Sequence, residues 1–131
     1  KLAISYIETF LLIVASPFVF SINKSFDRRY GMPWQGYKVN PLKAGVQLLK
    51  LQKETHKCLH KIYQPILIFQ ASLDKTVDLK SGDMIYKGVQ SSVCESYWMQ
   101  KSHHVIILDN EFEDVLEISL DFVKKIICRK K

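Results

Sequence analysis

PILIFQASLDKTV, residues 65–77, is the stretch that decides the fold. Its first six residues are a short apolar run, the pattern of a strand that is covered on both faces. The next seven residues form a loop that carries Asp74. A helix is predicted over 78–90, with Asp78 as its N-cap. The order strand, loop, helix is typical of a parallel α/β sheet.

The pattern continues toward the C-terminus. It predicts a third strand over 95–100, a loop over 101–109 and an amphipathic helix over 111–127. One face of this helix carries the predicted core stripe: Val115, Ile118, Phe122 and Ile126. Three acidic residues lie at its start, where they favour the helix dipole: Glu111, Glu113 and Asp114.

The pattern also continues toward the N-terminus. It predicts the end of a helix over 1–6, a buried strand over 9–15, an irregular connection over 21–41 and a long helix from residue 42 to about 63. Four aromatic residues punctuate the connection: Phe26, Tyr30, Trp34 and Tyr37. They fit a packed cap and, equally, a satellite cluster under a long loop. Strands that alternate with helices predict a mostly parallel sheet with flanking helices.

Composition and charge exclude several classes of protein. The chain has 131 residues, 47% of them hydrophobic, and a net charge of +6, so a disordered chain is not expected. The basic residues do not alternate with aromatic ones, so no nucleic-acid partner is predicted. The apolar run over 10–20 contains Pro17 and is shorter than the roughly 20 residues of a membrane span. A basic helix over 42–63 lying on a membrane surface is the remaining membrane alternative.

The cysteines and histidines predict neither disulfides nor a metal centre. The three cysteines, Cys58, Cys94 and Cys128, are odd in number and lack a CxxC spacing, which favours a reducing compartment and a cytoplasmic location. His56 and His60 flank Cys58 at helical spacing, but no second ligand pair accompanies them. No metal and no cofactor is therefore predicted.

Asp74 and His104 form the candidate site. Asp74 follows the second predicted strand and His104 follows the third. Adjacent parallel strands place such loops at one edge of the sheet. A carboxylate there can accept a hydrogen bond from the imidazole Nδ1–H and leave Nε2 free as a general base. This is the acid and base half of a serine-hydrolase triad, in the chain order Asp then His.

These residues carry a resemblance. The span 62–127 resembles the C-terminal part of α/β-hydrolases, specifically the carboxylesterase and monoacylglycerol-lipase-like group. The matching parts are PILIFQ over 65–70, Asp74, Val77, Ser-His-His-Val over 102–105, Asp109 and the terminal helix. The resemblance implies a partial hydrolase core at 1–20 and 62–131, with a cap insertion at 21–61.

The resemblance also implies site roles. Asp74 corresponds to the triad acid and His104 to the triad base. His103 stands where the family usually has Gly. His104 is favoured as the base because it directly precedes the run Val-Ile-Ile-Leu-Asp. The alternative for His103 is to face solvent or the cap.

The nucleophile elbow G-x-S-x-G does not occur in the sequence. The resemblance places it upstream of Lys1, together with the oxyanion donors. It implies a serine hydrolase that cleaves acyl or monoglyceride-like esters through an acyl-enzyme, and the isolated chain is expected to be inactive. The alternative is a truncated, inactive fragment that serves as an association or half-domain module, because an uncovered sheet promotes self-association.

Overall fold

The computed structural model describes residues 21–23 and 39–129. The strands are β1 (Ser21–Asn23), β2 (Val39–Pro41), β3 (Ile66–Ala71) and β4 (Cys94–Met99). The helices are α1 (Leu42–Cys58), α2 (Ser81–Gly88) and α3 (Phe112–Cys128). Single 3₁₀ turns span Leu59–Lys61 and Ile106–Leu108. The helix predicted over 1–6, the strand over 9–15 and the four aromatic residues of the connection lie outside the described residues. The described chain divides into two compact units between Lys57 and Cys58, and each is described by itself.

Two predictions for the segment that precedes β3 are wrong. The segment 21–41 was expected to be irregular, but β1 and β2 pair in antiparallel register, with Ile22 opposite Asn40. Pro41 is the last residue of β2, a position where its missing N–H removes little pairing. The helix that follows was expected to run to about residue 63, but it ends at Cys58. The chain then tightens into a 3₁₀ turn, in which the Ile62 N–H donates to the Leu59 carbonyl at 3.0 Å.

In the second unit, β3 and β4 pair in parallel, from Ile66 opposite Cys94 to Ala71 opposite Met99. Helices α2 and α3 flank this pair, which confirms the predicted α/β class. Both strands lie within one residue of their predicted bounds, since apolar runs bounded by turn residues define short buried strands well. The described core between sheet and helices includes Ile68, Met99 and Val115.

Helix α2 begins three residues later than predicted. Asp78 does not cap it; its Oδ1 accepts the Lys80 N–H at 2.9 Å and so closes the turn that precedes the helix. The helix start is instead satisfied from the sheet, because Oε1 of the buried Gln70 accepts the Gly82 N–H at 3.2 Å. A first-turn N–H has no partner inside its own helix, so this bond fastens α2 to β3.

Helix α3 is apolar on more than one side. Val115 of the predicted core stripe is buried, and the other three members are half-buried. A second stripe, which we call the outer stripe, is between 47% and 60% exposed: Phe112, Leu116, Leu120, Val123 and Ile127. Apolar patches of this kind on a helix mark a contact surface more often than a solvated face.

Gly88, at the end of α2, permits a close approach to the 3₁₀ turn. A Cβ at this position would lie 2.8 Å from Cδ1 and 3.0 Å from Cβ of Leu59. Leu59 is only 7% exposed and has little room to yield. The packing of the turn against α2 therefore depends on the missing side chain.

We expect Gly88→Ala to lower the free energy of unfolding by about 1–3 kcal/mol, because the added methyl group overpacks the contact with Leu59. Urea unfolding measures the change. The matched background is the Leu59→Ala variant. In that variant, Gly88→Ala should lower the free energy of unfolding by less than half as much as in the wild type. An equal cost in both backgrounds would show that the contact is not the cause.

Candidate active site

The loops that follow β3 and β4 are joined directly to each other. The Ser72 N–H donates to the Met99 carbonyl at 2.8 Å, and the Leu73 N–H donates to the Ser102 carbonyl at 3.2 Å. The Ser72 hydroxyl also donates to Oε1 of Gln100 at 3.1 Å. The parallel register therefore continues past the strand ends and brings the two predicted site loops together.

Asp74 and His104 are in contact. Nδ1 of His104 lies 3.0 Å from Oδ2 of Asp74. The other carboxylate oxygen, Oδ1, accepts the backbone N–H of Thr76 at 2.7 Å and that of Val77 at 3.0 Å. The turn that holds Asp74 thus uses one oxygen for the backbone and leaves the second for the imidazole. The structure brings together the two residues that the sequence analysis singled out.

The Asp74 carboxyl is ionised in spite of its burial. Its side chain is only 6% exposed. Burial by itself would raise its pKa, but the Val77 N–H, the His104 ring and the Thr76 N–H outweigh burial and hold the pKa below its usual range. An ionised carboxylate only accepts hydrogen bonds, so the proton of this contact belongs to Nδ1 of His104.

The His104 ring is open to solvent on its other side. Its side chain is 48% exposed, in contrast to the buried Asp74. With Nδ1–H directed at the carboxylate, the lone pair of the neutral ring is on Nε2. This arrangement can accept a proton at Nε2 and stabilise the resulting imidazolium, which is the chemistry of a general base.

His103 has a carboxylate partner of its own. Its Nδ1 lies 2.8 Å from Oδ2 of Asp109, and its backbone N–H donates to the same oxygen at 2.7 Å. The ring is 26% exposed and the Asp109 side chain only 8%. Two neighbouring histidines therefore each contact their own carboxylate.

Glu111 has a role that the sequence analysis missed. Its carboxylate accepts the N–H of Gln100 at 3.0 Å, the N–H of Lys101 at 2.8 Å and the hydroxyl of Ser102 at 2.6 Å. The helix dipole explains why an acidic residue is favourable at this position, but it does not predict the three hydrogen bonds from the loop. The sequence pattern counted Glu111 as the first residue of α3, but the helix begins at Phe112 and the Glu111 side chain makes no cap hydrogen bond to it. No signal in the sequence indicated the contacts with the loop.

The described residues contain no cluster of three or more His, Cys, Asp or Glu side chains that could hold a metal ion. Cys58 and Cys128 are exposed and Cys94 is half-buried, and all three are free thiols. Within the same part of the chain, no helix combines the length and apolarity that a membrane crossing requires.

Comparison with known proteins relates the chain to lipolytic enzymes. It is 33% identical over 89 residues to a thermostable monoacylglycerol lipase of Bacillus sp. strain H-257, a match that covers 68% of this chain and 36% of the lipase. It is 31% identical over 88 residues to a carboxylesterase of Bacillus subtilis strain 168, over 67% of this chain and 35% of the esterase. No family model matches the chain.

Solved structures give the same result for the fold. A structure from work on the metagenome-derived lipolytic enzymes LipS and LipT superposes with a TM-score of 0.76 and 29% identity, over 86% of this chain and 49% of that chain. A monoacylglycerol lipase of Paleococcus ferrophilus superposes with a TM-score of 0.70 and 14% identity, over 88% of this chain and 50% of that chain, and shows the fold alone.

The fold is therefore part of an α/β-hydrolase fold. Within that class, the chain is related to the carboxylesterase and monoacylglycerol lipase group, as the sequence resemblance predicted. The chain spans about a third of the length of these curated relatives and about half of the length of the solved structures.

We expect Asp74→Asn to destabilise the chain in a pH-dependent way. The folded-state pKa of Asp74 is lowered, so its charge stabilises the fold above the unfolded-state pKa of about 3.9, and this contribution is lost as the pH falls through the folded value. The loss should be about 1–3 kcal/mol at pH 7.

Urea unfolding of both proteins between pH 7 and pH 3 measures the difference, which should shrink in acid. The control is Asp121→Asn, which removes the ion pair between Asp121 and Lys124. These two side chains are 67% and 71% exposed, so the substitution should change the free energy of unfolding by less than about 1 kcal/mol. If the free energies of unfolding of the wild type and Asp74→Asn differed by the same amount from pH 7 to pH 3, the assigned charge state would be contradicted.

Proposed function

We propose that this chain supplies the acid and the base of a serine hydrolase that cleaves carboxylic esters. The observation that carries the proposal is the 3.0 Å contact between His104 Nδ1 and Asp74 Oδ2 at the carboxyl ends of two adjacent parallel strands. The relation to proteins named monoacylglycerol lipase and carboxylesterase supports the ester as the bond cleaved. The sequence contains no G-x-S-x-G elbow, so the nucleophile of the proposed reaction comes from outside these 131 residues.

The proposed mechanism is acyl transfer in two steps. Nε2 of His104 removes the proton of the serine hydroxyl as the oxygen attacks the ester carbonyl carbon, and then returns that proton to the leaving alcohol. In the second step His104 activates a water molecule that hydrolyses the acyl-enzyme. Asp74 holds the ring in the Nδ1–H tautomer and stabilises the imidazolium in both steps.

The substrate class we propose is a small acyl ester or a monoglyceride-like ester. In this proposal residues 1–20 and 62–131 form the partial core, and residues 21–61 form a cap insertion. No cofactor and no nucleic acid takes part. The three free thiols fit a reducing compartment, so we propose a cytoplasmic location.

The activity is tested in a chimera in which residues 62–131 replace the matching segment of the Bacillus monoacylglycerol lipase. We expect the chimera to hydrolyse p-nitrophenyl esters and the isolated chain to show no turnover above background. His104→Ala or Asp74→Asn should lower kcat/KM of the chimera by about 10³–10⁴. Lys75→Ala, in the same loop as Asp74, is the control and should retain activity. Near-normal turnover after His104→Ala would overturn the proposal.

A second test uses the chain itself and does not depend on the chimera folding. The ¹⁵N spectrum of the His104 ring should show a protonated Nδ1 and an unprotonated Nε2, because the Asp74 carboxylate accepts from Nδ1. Asp74→Asn presents an amide N–H₂ to the ring and should shift it toward the Nε2–H tautomer. A wild-type ring in the Nε2–H tautomer would contradict the proposed role of both residues.

A second candidate function, an association module without activity, is favoured by the outer stripe of α3. Its five large apolar side chains are about half exposed along the length of the helix. A second copy of the chain offers the same stripe, and self-complementary apolar surfaces favour symmetric dimers. In this candidate the outer stripe is the contact between copies.

Light scattering of the isolated chain at micromolar concentration tests this candidate. We expect self-association, and we expect the pair Leu116→Lys and Val123→Lys to abolish it because both positions lie in the outer stripe. Glu117→Lys is the matched control: replacing a negative by a positive side chain changes the net charge by the same +2, at an exposed position of α3 outside the outer stripe, and should leave association unchanged. A monomeric wild-type chain would reject the candidate.

A further inference from the structure

The first four residues of the loop that carries His104 each donate a hydrogen bond, from the backbone or a side chain, to one of two carboxylates that lie just before α3. Gln100, Lys101 and Ser102 donate to Glu111, and the next residue, His103, donates to Asp109. These donors no longer have a strand partner, because β4 ends at Met99. Hydrogen bonds to an ionised acceptor are shorter and stronger than neutral ones, so these two carboxylates define the path of the loop.

Ser102 connects this arrangement to the Asp74 loop. Its hydroxyl donates to Oε2 of Glu111 at 2.6 Å, and its carbonyl accepts the Leu73 N–H at 3.2 Å. Leu73 is the residue before Asp74, and His104 lies two residues after Ser102. Ser102 is 0% exposed, so its hydroxyl has no access to solvent as an alternative partner.

The His104 ring itself has few restraints. It is 48% exposed, so packing does not lock its orientation. Its distance from Asp74 is therefore governed by the backbone on either side, and that backbone is held through Ser102 and Glu111. The Asp109 contact with the His103 N–H, at 2.7 Å, restrains the residue next to His104 from the same side.

We propose that Glu111 is a positioning residue for His104: acting through Ser102, it sets the separation between the His104 ring and the Asp74 carboxylate. This inference rests on the proposed function, because positioning has a consequence for the reaction only if His104 is its base. Glu111 does not touch the reacting atoms in this proposal. A small displacement of a catalytic group is enough to lower a rate by about a hundredfold, so such a residue has a large effect from a distance.

Neither acidic residue in the first turn of α3 duplicates the role of Glu111, which precedes that turn. Glu113 and Asp114 are exposed residues on the same helix and belong to its favourable N-terminal charge. Glu113 is therefore a matched control, since its removal changes the helix dipole interaction and the net charge but not the loop.

The experiment follows the Nδ1–H resonance of His104 in the full chain, together with the urea unfolding of each variant. We expect Glu111→Ala to lose the protected Nδ1–H signal and Glu111→Gln, which keeps one acceptor oxygen, to retain part of it. Glu113→Ala should leave the signal unchanged. Gly88→Ala, which is destabilised at a distant contact, should also keep the signal, and this separates positioning from a general loss of stability.

The outcomes are distinct. A folded Glu111→Ala chain with an unchanged Nδ1–H signal overturns the inference and leaves the proposed function intact. If Glu111→Ala does not fold, Glu111→Gln decides, and a wild-type signal in that variant overturns the inference. A wild-type chain without the signal overturns the proposed function and the inference with it. In the active chimera, Glu111→Ala should lower kcat by about a hundredfold and leave KM within about twofold.

Discussion

The parallel pairing of β3 with β4 is the constraint on which the site depends. Because both strands run in the same direction, with Ala71 opposite Met99, the chain leaves the sheet twice at the same edge. The two loops begin in contact, and side chains thirty residues apart in sequence come within hydrogen-bond distance. An antiparallel arrangement would place the loops at opposite ends of six-residue strands, about 20 Å apart.

In the loops after both strands, carboxylates accept hydrogen bonds from backbone N–H groups. Backbone N–H groups that leave a sheet lose their partners, and buried N–H groups without partners are costly. The N–H groups of Ser72 and Leu73 donate to backbone carbonyls, and those further along the two loops donate to the carboxylates of Asp74, Asp109 and Glu111. For each, burial would raise the pKa, and the surrounding donors outweigh burial and lower it, so all three remain ionised at neutral pH. The same charges that organise the backbone are therefore available to orient the two histidines.

The described core is small for the apolar surface that the helices carry. Two parallel strands cover only part of α3, and the outer stripe of that helix remains exposed. The solved lipolytic relatives are about twice as long as the aligned chain. The outer stripe is therefore the apolar surface on which the second candidate function, association between copies, depends.

The sequence alone determined the α/β class, the bounds of β3 and β4 to within one residue, and the position of Asp74 and His104 in the loops after them. These features depend on local patterns: apolar runs, turn residues and helical periodicity. Local patterns were less successful at element ends, as at Asp78, which closes a turn three residues before α2, and at Cys58, where α1 ends early. The paired β1 and β2 were also missed, because three-residue strands carry almost no periodic signal.

Only the tertiary structure decided what His103 contacts and how close His104 comes to Asp74. The family resemblance favoured His104 over His103 as the partner of Asp74, but nothing in the sequence indicated that His103 contacts Asp109. The strand register and the turn at Asp74 bring His104 and Asp74 together, and in our proposal the loop hydrogen bonds to Glu111 set their separation. These contacts join separate elements, and a single sequence read along its length does not reveal them.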